Sequence, residues 1–131
     1  MTDTLISVDL NESPHTTENV HNRWHPDIPI NVWVEPGDEF KIETYDWTGG
    51  QIKNDDDASD VRDVELEQAH YLSGPIGVKG AKPGDLLVVE ILDIGAKDDS
   101  LWGFNGFFSK QNGGGFLTEH FPEAQKSIWD I

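Results

Sequence analysis

A repeated strand–turn–strand pattern constrains the fold of this chain more than any other feature. The segment PGDEFKIETYD spans residues 36–46, and PGDLLVVEILD spans residues 83–93. After the shared Pro-Gly-Asp, both copies carry Glu and then Asp at the same offsets, at Glu43 and Asp46 and at Glu90 and Asp93. Proline followed by glycine suits the central positions of a type II turn, and the period of two suits strands. The sequence therefore predicts a mainly β fold, a sandwich or barrel-like domain with a repeated unit.

The two copies differ in the polarity of their second strand. EFKIET alternates apolar and polar residues, which is typical of a strand with one wet face, whereas LLVVEIL is apolar on both faces. A strand that is apolar on both faces is expected to be covered on both sides. We therefore predict that residues 86–92 lie nearer the centre of the fold than residues 39–44.

Other segments give weaker predictions. Residues 4–10 (TLISVDL) read as a short strand, and residues 122–126 as one helical turn that starts at a proline. The aromatic and glycine-rich residues 102–116 predict a loop, either structural or a lid over a ligand. KSIWDI reads as a strand that stops at Ile131 with no turn after it. This end predicts that the chain is truncated or cleaved, and that Ile128, Trp129 and Ile131 are covered by a companion polypeptide.

Composition narrows the functional classes. The chain has 131 residues, enough for one domain spanning 1–131. A net charge of −16 argues against nucleic acid and anionic membranes as partners. The absence of cysteine excludes disulfides, thiolate zinc sites and a cysteine nucleophile. Neither a signal peptide nor a long apolar run is recognisable, so we predict a cytoplasmic protein.

The stretch DWTGGQ holds the first candidate site residue. Asp46 shares the strand parity of Phe40 and Ile42, so the pattern predicts that its carboxylate points inward at the end of the strand. A buried carboxylate must be paired, hydrogen-bonded or bound to a metal. The two glycines that follow permit a tight turn, and Gln51 offers an amide donor and acceptor. The alternative is an ordinary turn in which the aspartate bonds to local backbone.

The other polar clusters allow ordinary structural explanations. Asp55, Asp56 and Asp57 favour a solvated loop, because the glycine and glutamate of a helical calcium loop are missing at the required spacing. His21 and His25 have the spacing of a helical zinc pair, but Pro26 argues against a helix there. His70 precedes the turn Ser-Gly-Pro, where a histidine can be a ligand, a base or a core residue.

Taken in order, four segments resemble the N-terminal portion of the acetamidase/formamidase family. They are HNRWHPDIP, VEPGDEFKIETYDWTGGQIKNDD, AHYLSGPIGVKGAKPGDLLVVEILDIG and WGFNGFFSKQNGGGFLTEHFP. The resemblance implies part of a larger, β-rich amidase that cleaves the C–N bond of small amides such as formamide, acetamide or a γ-lactam. It also implies a companion polypeptide that carries the rest of the enzyme, and assembly as a homo-oligomer.

The same resemblance implies roles for particular residues. Asp46 and Gln51 match the family's Asp-x-x-Gly-Gly-Gln element, and His70 matches the position ahead of its Ser-Gly-Pro-Ile segment. Asp46 and His70 are expected to be catalytic and to hold a divalent metal, most plausibly zinc. Trp47, Gly50 and Gln51 are expected to contact the substrate. The competing hypothesis is a non-catalytic β-domain, a fragment or subunit whose role is assembly.

Overall fold

The computed structural model of the protein describes residues 2–131 and contains two compact units. The first unit comprises the described residues up to Gly49 together with Gln68–Ile94, and the second comprises Gly50–Glu67 and Gly95–Ile131. Strands are the main regular elements, with very little helix, which confirms the mainly β class. The strands pair two by two, and within residues 2–131 no ladder closes into a barrel.

The first unit contains three short ladders. Strands β1 and β4 pair in parallel, β2 and β5 in antiparallel, and β3 and β6 in parallel. The bounds are β1 Asp3–Ile6, β2 Val20–His21, β3 Val32–Val34, β4 Phe40–Ile42, β5 Leu72–Ser73 and β6 Ile76–Val78. A small core of Val8, Tyr45 and Tyr71, with Val20 packed against it, lies in this unit.

The second unit is built on one longer hairpin-like ladder. Strands β7 (Trp102–Phe107) and β8 (Gln125–Asp130) pair in antiparallel over six residues each. The only α-helix among residues 2–131, α1 (Ser59–Arg62), has four residues, and 3₁₀ turns occupy Leu66–Gln68 and Lys110–Asn112. No helix in this part of the chain is long and apolar enough to cross a bilayer. The core combines Ile52, Val61 and Val64 with Phe104, Phe108 and Ala124.

The two Pro-Gly-Asp turns are confirmed and share one hydrogen-bond pattern. The Asp38 N–H donates to the Glu35 carbonyl (3.1 Å), and the Asp85 N–H donates to the Lys82 carbonyl (3.0 Å). In return, each aspartate carboxylate accepts from the backbone N–H of the first turn residue, at 2.8 Å in both copies. The central glycines, Gly37 and Gly84, have φ of +95° and +97°, which a type II turn requires.

The strands after the two turns are not equivalent in the structure. β4 pairs with β1, but residues 86–94 form no strand with any part of the described chain, and their side chains are exposed. The prediction of a covered, central strand is therefore wrong for this chain by itself. A strand needs a neighbour for its N–H and C=O groups, and the described residues place none beside this segment.

Two further local predictions are wrong, and both errors concern β7 and β8. Residues 102–107 are a strand rather than a loop, and Gly106 belongs there because a Cβ at that position would lie 3.1 Å from Val61 Cγ1. No helical turn forms at residues 122–126, since β8 begins at Gln125. The strand predicted for KSIWDI is confirmed, and it finds its partner within the chain, in β7.

Candidate active site

The turn that carries Asp46 is held by its own carboxylate. Asp46 Oδ1 accepts hydrogen bonds from the Thr48 backbone N–H (2.8 Å) and from the Thr48 hydroxyl (2.5 Å). The Gly49 N–H donates to the Asp46 carbonyl at 2.9 Å. Thr48 is fully buried, so the hydroxyl that orients the carboxylate is itself fixed by packing. The interpretation of this element as an Asx-type turn is therefore confirmed.

Asp46 does not point inward as its strand parity predicts. β4 ends at Ile42, and Phe40 and Ile42 remain exposed, whereas Tyr45 is the buried residue and Asp46 is exposed. The alternation fails because the period of two applies only while the backbone stays extended. The outcome is a carboxylate with a fixed orientation that is open to the surface of the first unit.

At Gly49, this turn packs against the core of the first unit. Its φ is +71°, and an added Cβ would lie 2.2 Å from Cε2 of Tyr71 and 2.9 Å from Cγ of Pro14. Tyr71 is buried, and its hydroxyl contacts His15 Nε2 at 2.8 Å. The backbone at Gly49 is therefore in direct contact with the ring of Tyr71, the residue that follows His70.

A second contact joins the same turn to His70. The rings of Trp47 and His70 lie 5.2 Å apart, centroid to centroid, with an interplanar angle of 40°. Trp47 is half-buried and His70 is exposed. Gly49 packs on Tyr71 and Trp47 packs on His70, so two positions of this turn contact two consecutive residues of the other segment. The structure therefore brings two of the predicted site residues, Trp47 and His70, into contact, and Asp46 directly precedes Trp47 on the same segment.

Gly50 and Gln51 belong to the second unit, where their polar groups have structural partners. Gln51 Oε1 accepts from the Glu65 backbone N–H (2.8 Å), and Gln51 Nε2 donates to the Glu65 carbonyl (3.3 Å). The Gly50 carbonyl accepts from Lys53 Nζ at 2.6 Å. A substrate that used the Gln51 amide would have to compete with the Glu65 backbone. The substrate-binding role of both residues stays a prediction.

The acidic loop of the second unit is held in place by Lys126, which no pattern in the sequence singled out. The side chain of Lys126 is 0% exposed, and its ammonium lies 2.8 Å from Asp55 Oδ1 and 2.8 Å from Asp60 Oδ2. It also donates to the Lys53 carbonyl (3.0 Å). Burial lowers the pKa of Lys126, but the bonds to the two carboxylates outweigh it, so the pKa lies above its ordinary value.

This lysine changes the interpretation of the aspartate run only in part. Asp55, Asp56 and Asp57 are exposed, as predicted for a solvated loop. The hydrogen bond from Lys126, assisted by one from the Asp57 N–H, lowers the pKa of Asp55. Asp57 accepts bonds from both the backbone and the hydroxyl of Ser59, where α1 begins. The run therefore organises the loop and the start of α1.

The second unit also has an apolar cavity of about 290 Å³. Its wall includes the side chains of Phe107, Phe108, Phe116, Leu117, Thr118 and Phe121. The Thr118 hydroxyl is bonded to the backbone of Gly115, so the polar group in this wall is already engaged. A small polar amide would lose its hydration in such a cavity without gaining hydrogen bonds. The cavity is therefore a poor site for formamide or acetamide.

Comparison with known proteins assigns the chain to a family. The model of the acetamidase/formamidase family matches residues 7–131, nearly the whole chain. The chain belongs to the acetamidase/formamidase family. It is 65% identical over 129 residues to a formamidase of Methylophilus methylotrophus, covering 98% of this chain and 32% of that protein. It is 58% identical over 118 residues to an acetamidase of Mycolicibacterium smegmatis, covering 85% of this chain and 29% of that protein.

A solved structure of the same family agrees with the fold. The gamma lactamase from Delftia acidovorans superposes with a TM-score of 0.97 at 78% sequence identity, over 99% of this chain and 32% of the lactamase chain. This acetamidase/formamidase chain therefore spans 29–32% of the length of the relatives it matches. This share is consistent with the N-terminal portion of the family that the sequence resembles.

Proposed function

We propose that this chain is part of an amide hydrolase that cleaves the C–N bond of formamide, acetamide or a γ-lactam. The observation that carries the proposal is the near-complete similarity to proteins named formamidase, acetamidase and gamma lactamase, at 58–78% identity. Since the chain spans a minor share of those proteins, the activity belongs to a longer assembly that includes it. The rest of that assembly is the companion polypeptide predicted above.

The first unit supplies groups suited to proton transfer. An amide carbonyl is a poor electrophile, so its hydrolysis requires an activated water and a proton for the departing nitrogen. Asp46 presents a carboxylate whose orientation is fixed by Thr48, and His70 presents an imidazole whose ring is positioned by Trp47. We assign Asp46 the role of accepting a proton from water. We assign His70 the donation of a proton to the leaving nitrogen, after which the proton that Asp46 accepted is passed back to His70.

A zinc ion held by Asp46 and His70 stays a prediction. A catalytic zinc site has three protein ligands and an open position for water. Among residues 2–131, no group of three or more His, Asp or Glu side chains is arranged to hold a metal. The described residues therefore do not form a metal centre by themselves, and a zinc ion would need ligands from the rest of the assembly.

An assembly domain without catalytic residues is the second candidate function. It is favoured by the exposed apolar segment at residues 86–94 and by the structural engagement of Gln51. Under that account, substitutions at Asp46 and His70 change assembly or stability and leave turnover per assembled site unaltered. For the proposed amide hydrolase, we also propose a homo-oligomeric state and a cytoplasmic location.

Ammonia release tests the proposed activity. The full-length protein, meaning this chain together with its companion polypeptide, is incubated with formamide, acetamide and a γ-lactam at equal concentration. Ammonia is measured for the linear amides, and the ring-opened amino acid for the lactam. We expect at least one of the three to be hydrolysed at a rate proportional to protein concentration. Background rates with all three substrates would refute the proposed hydrolase.

A further inference from the structure

Residues 86–94 form an exposed apolar segment, here called the apolar ribbon. Seven of its side chains are between 60% and 91% exposed: Leu86, Leu87, Val88, Val89, Ile91, Leu92 and Ile94. Contiguous apolar surface of this kind marks an interaction site or an aggregation hazard. Because consecutive residues of an extended chain point to opposite sides, exposure along the whole ribbon means that both of its faces lack cover.

The internal repeat indicates which kind of partner the ribbon takes. Leu87 stands at the same distance after the Pro-Gly-Asp turn as Phe40, and Val89 at the same distance as Ile42. The strands before the two turns, β3 and β6, pair with each other in parallel, and Lys79 and Glu35 form an ion pair at 2.6 Å beside that ladder. The two copies thus share the geometry of their turns, and each turn follows one strand of the same parallel ladder.

Beyond the turn, only the first copy has a partner. β4 pairs in parallel with β1, with Phe40 opposite Asp3 and Ile42 opposite Ile6. If the relation between the copies continues, the ribbon takes a parallel strand beside Leu87–Val89. The composition of the ribbon independently supports a parallel partner, because near-continuous runs of Leu, Ile and Val are typical of strands in buried parallel sheets.

The partner strand must come from polypeptide other than a second copy of the ribbon. Two identical strands related by a two-fold axis normal to their sheet run antiparallel, which does not give the parallel neighbour that the repeat indicates. About two-thirds of the length of these relatives lies outside the matched region, since this chain covers 32% of the formamidase and 32% of the lactamase. Parallel strands require long crossover connections, which suits a partner that is distant along the chain.

We propose that residues 86–94 are a docking strand that receives a parallel β-strand from the polypeptide that the relatives carry beyond the matched region. The added strand satisfies the backbone of the ribbon, and the elements that accompany it cover the two apolar faces. The proposal rests on the repeat and on membership of the family. It does not depend on amide hydrolysis, so a protein without turnover still tests it.

Hydrogen exchange measured by mass spectrometry tests the docking strand. Amide exchange over residues 86–94 is compared between the full-length protein and the 131-residue chain prepared alone. We expect exchange at residues 87–92 to be slower by about 100-fold or more in the full-length protein, because paired strand amides open only with their ladder. Equal exchange in the two samples would overturn the proposal. So would protection in the isolated chain that grows with its concentration, since that result indicates pairing between copies.

A pair of matched variants separates docking from folding. Val89→Asp places a charge in the ribbon, at a side chain that is 74% exposed. Ile30→Asp introduces the same charge at an apolar side chain of the first unit that is 42% exposed. We expect Val89→Asp to leave the unfolding of the isolated chain unchanged and to lower the yield of assembled full-length protein by about tenfold. The proposal fails if Ile30→Asp lowers that yield as much as Val89→Asp does.

Discussion

Replacing Asp46 by Asn in the full-length protein is expected to lower amide turnover by about 100-fold or more. Asparagine keeps a side-chain oxygen that can accept both hydrogen bonds from Thr48, so the turn persists while the charge is lost. The loss should therefore appear in kcat with little change in the free energy of unfolding. Steady-state ammonia release and urea unfolding of the same preparation measure the two effects.

Asp9→Asn is the matched control for this variant. Asp9 Oδ1 accepts a hydrogen bond from the backbone N–H of Asn11 at 2.9 Å, two residues on, just as Asp46 Oδ1 accepts from Thr48. Both aspartates are exposed and lie in the first unit. Asp9→Asn should leave turnover near that of the unsubstituted protein. Equal turnover in the two variants would remove Asp46 from the catalytic site.

Replacing Gly49 by Ala is expected to destabilise the first unit by about 2–5 kcal/mol. Alanine at a φ of +71° is strained, and its Cβ would lie 2.2 Å from the Tyr71 ring. The ring of Tyr71 packs with Val8 and Tyr45 in the core, so it has little room to move aside. The displacement should also disturb the Trp47–His70 contact and thereby reduce turnover. Urea unfolding followed by tryptophan fluorescence measures the loss of stability.

The neighbouring glycine provides the control for this prediction. Gly50 also has a positive φ, +83°, but an added Cβ there meets no atom within 4 Å. Gly50→Ala should therefore cost only the left-handed backbone conformation, about 1–2 kcal/mol. If both variants lose the same stability, the close approach of Gly49 to Tyr71 contributes nothing to the fold.

Local signals in the sequence were sufficient to predict the turns. Pro36-Gly37 and Pro83-Gly84 each fix two consecutive backbone conformations, so the turn type follows from the residues themselves. The same holds for the Asx turn at Asp46, since the bonding of an aspartate side chain to the backbone two residues on is a local interaction. The family resemblance, which rests on long quoted segments, was confirmed as well.

The features that could not be predicted depend on contacts between residues that are far apart in the sequence. Asp46 points outward because β4 stops at Ile42, and the sequence EFKIETYD holds no signal for that early end. Lys126 looks like an ordinary surface lysine in KSIWDI, but it is buried between two aspartates that are more than sixty residues away along the chain. The buried central strand predicted at LLVVEIL requires a neighbouring strand that the described residues do not contain. The extent of the domain and the covering of Ile128, Trp129 and Ile131 by a companion polypeptide stay predictions.

In the proposed function, this chain holds part of an amide hydrolase site that the companion polypeptide completes. The most direct test measures ammonia release from formamide by the 131-residue chain alone, and by the same chain after co-expression with the segment that supplies the rest of the relatives' length. We expect background release by the chain alone and an increase of at least about 100-fold when the companion is present. Full turnover by the chain alone as a monomer, or background release by the assembled protein, would contradict it.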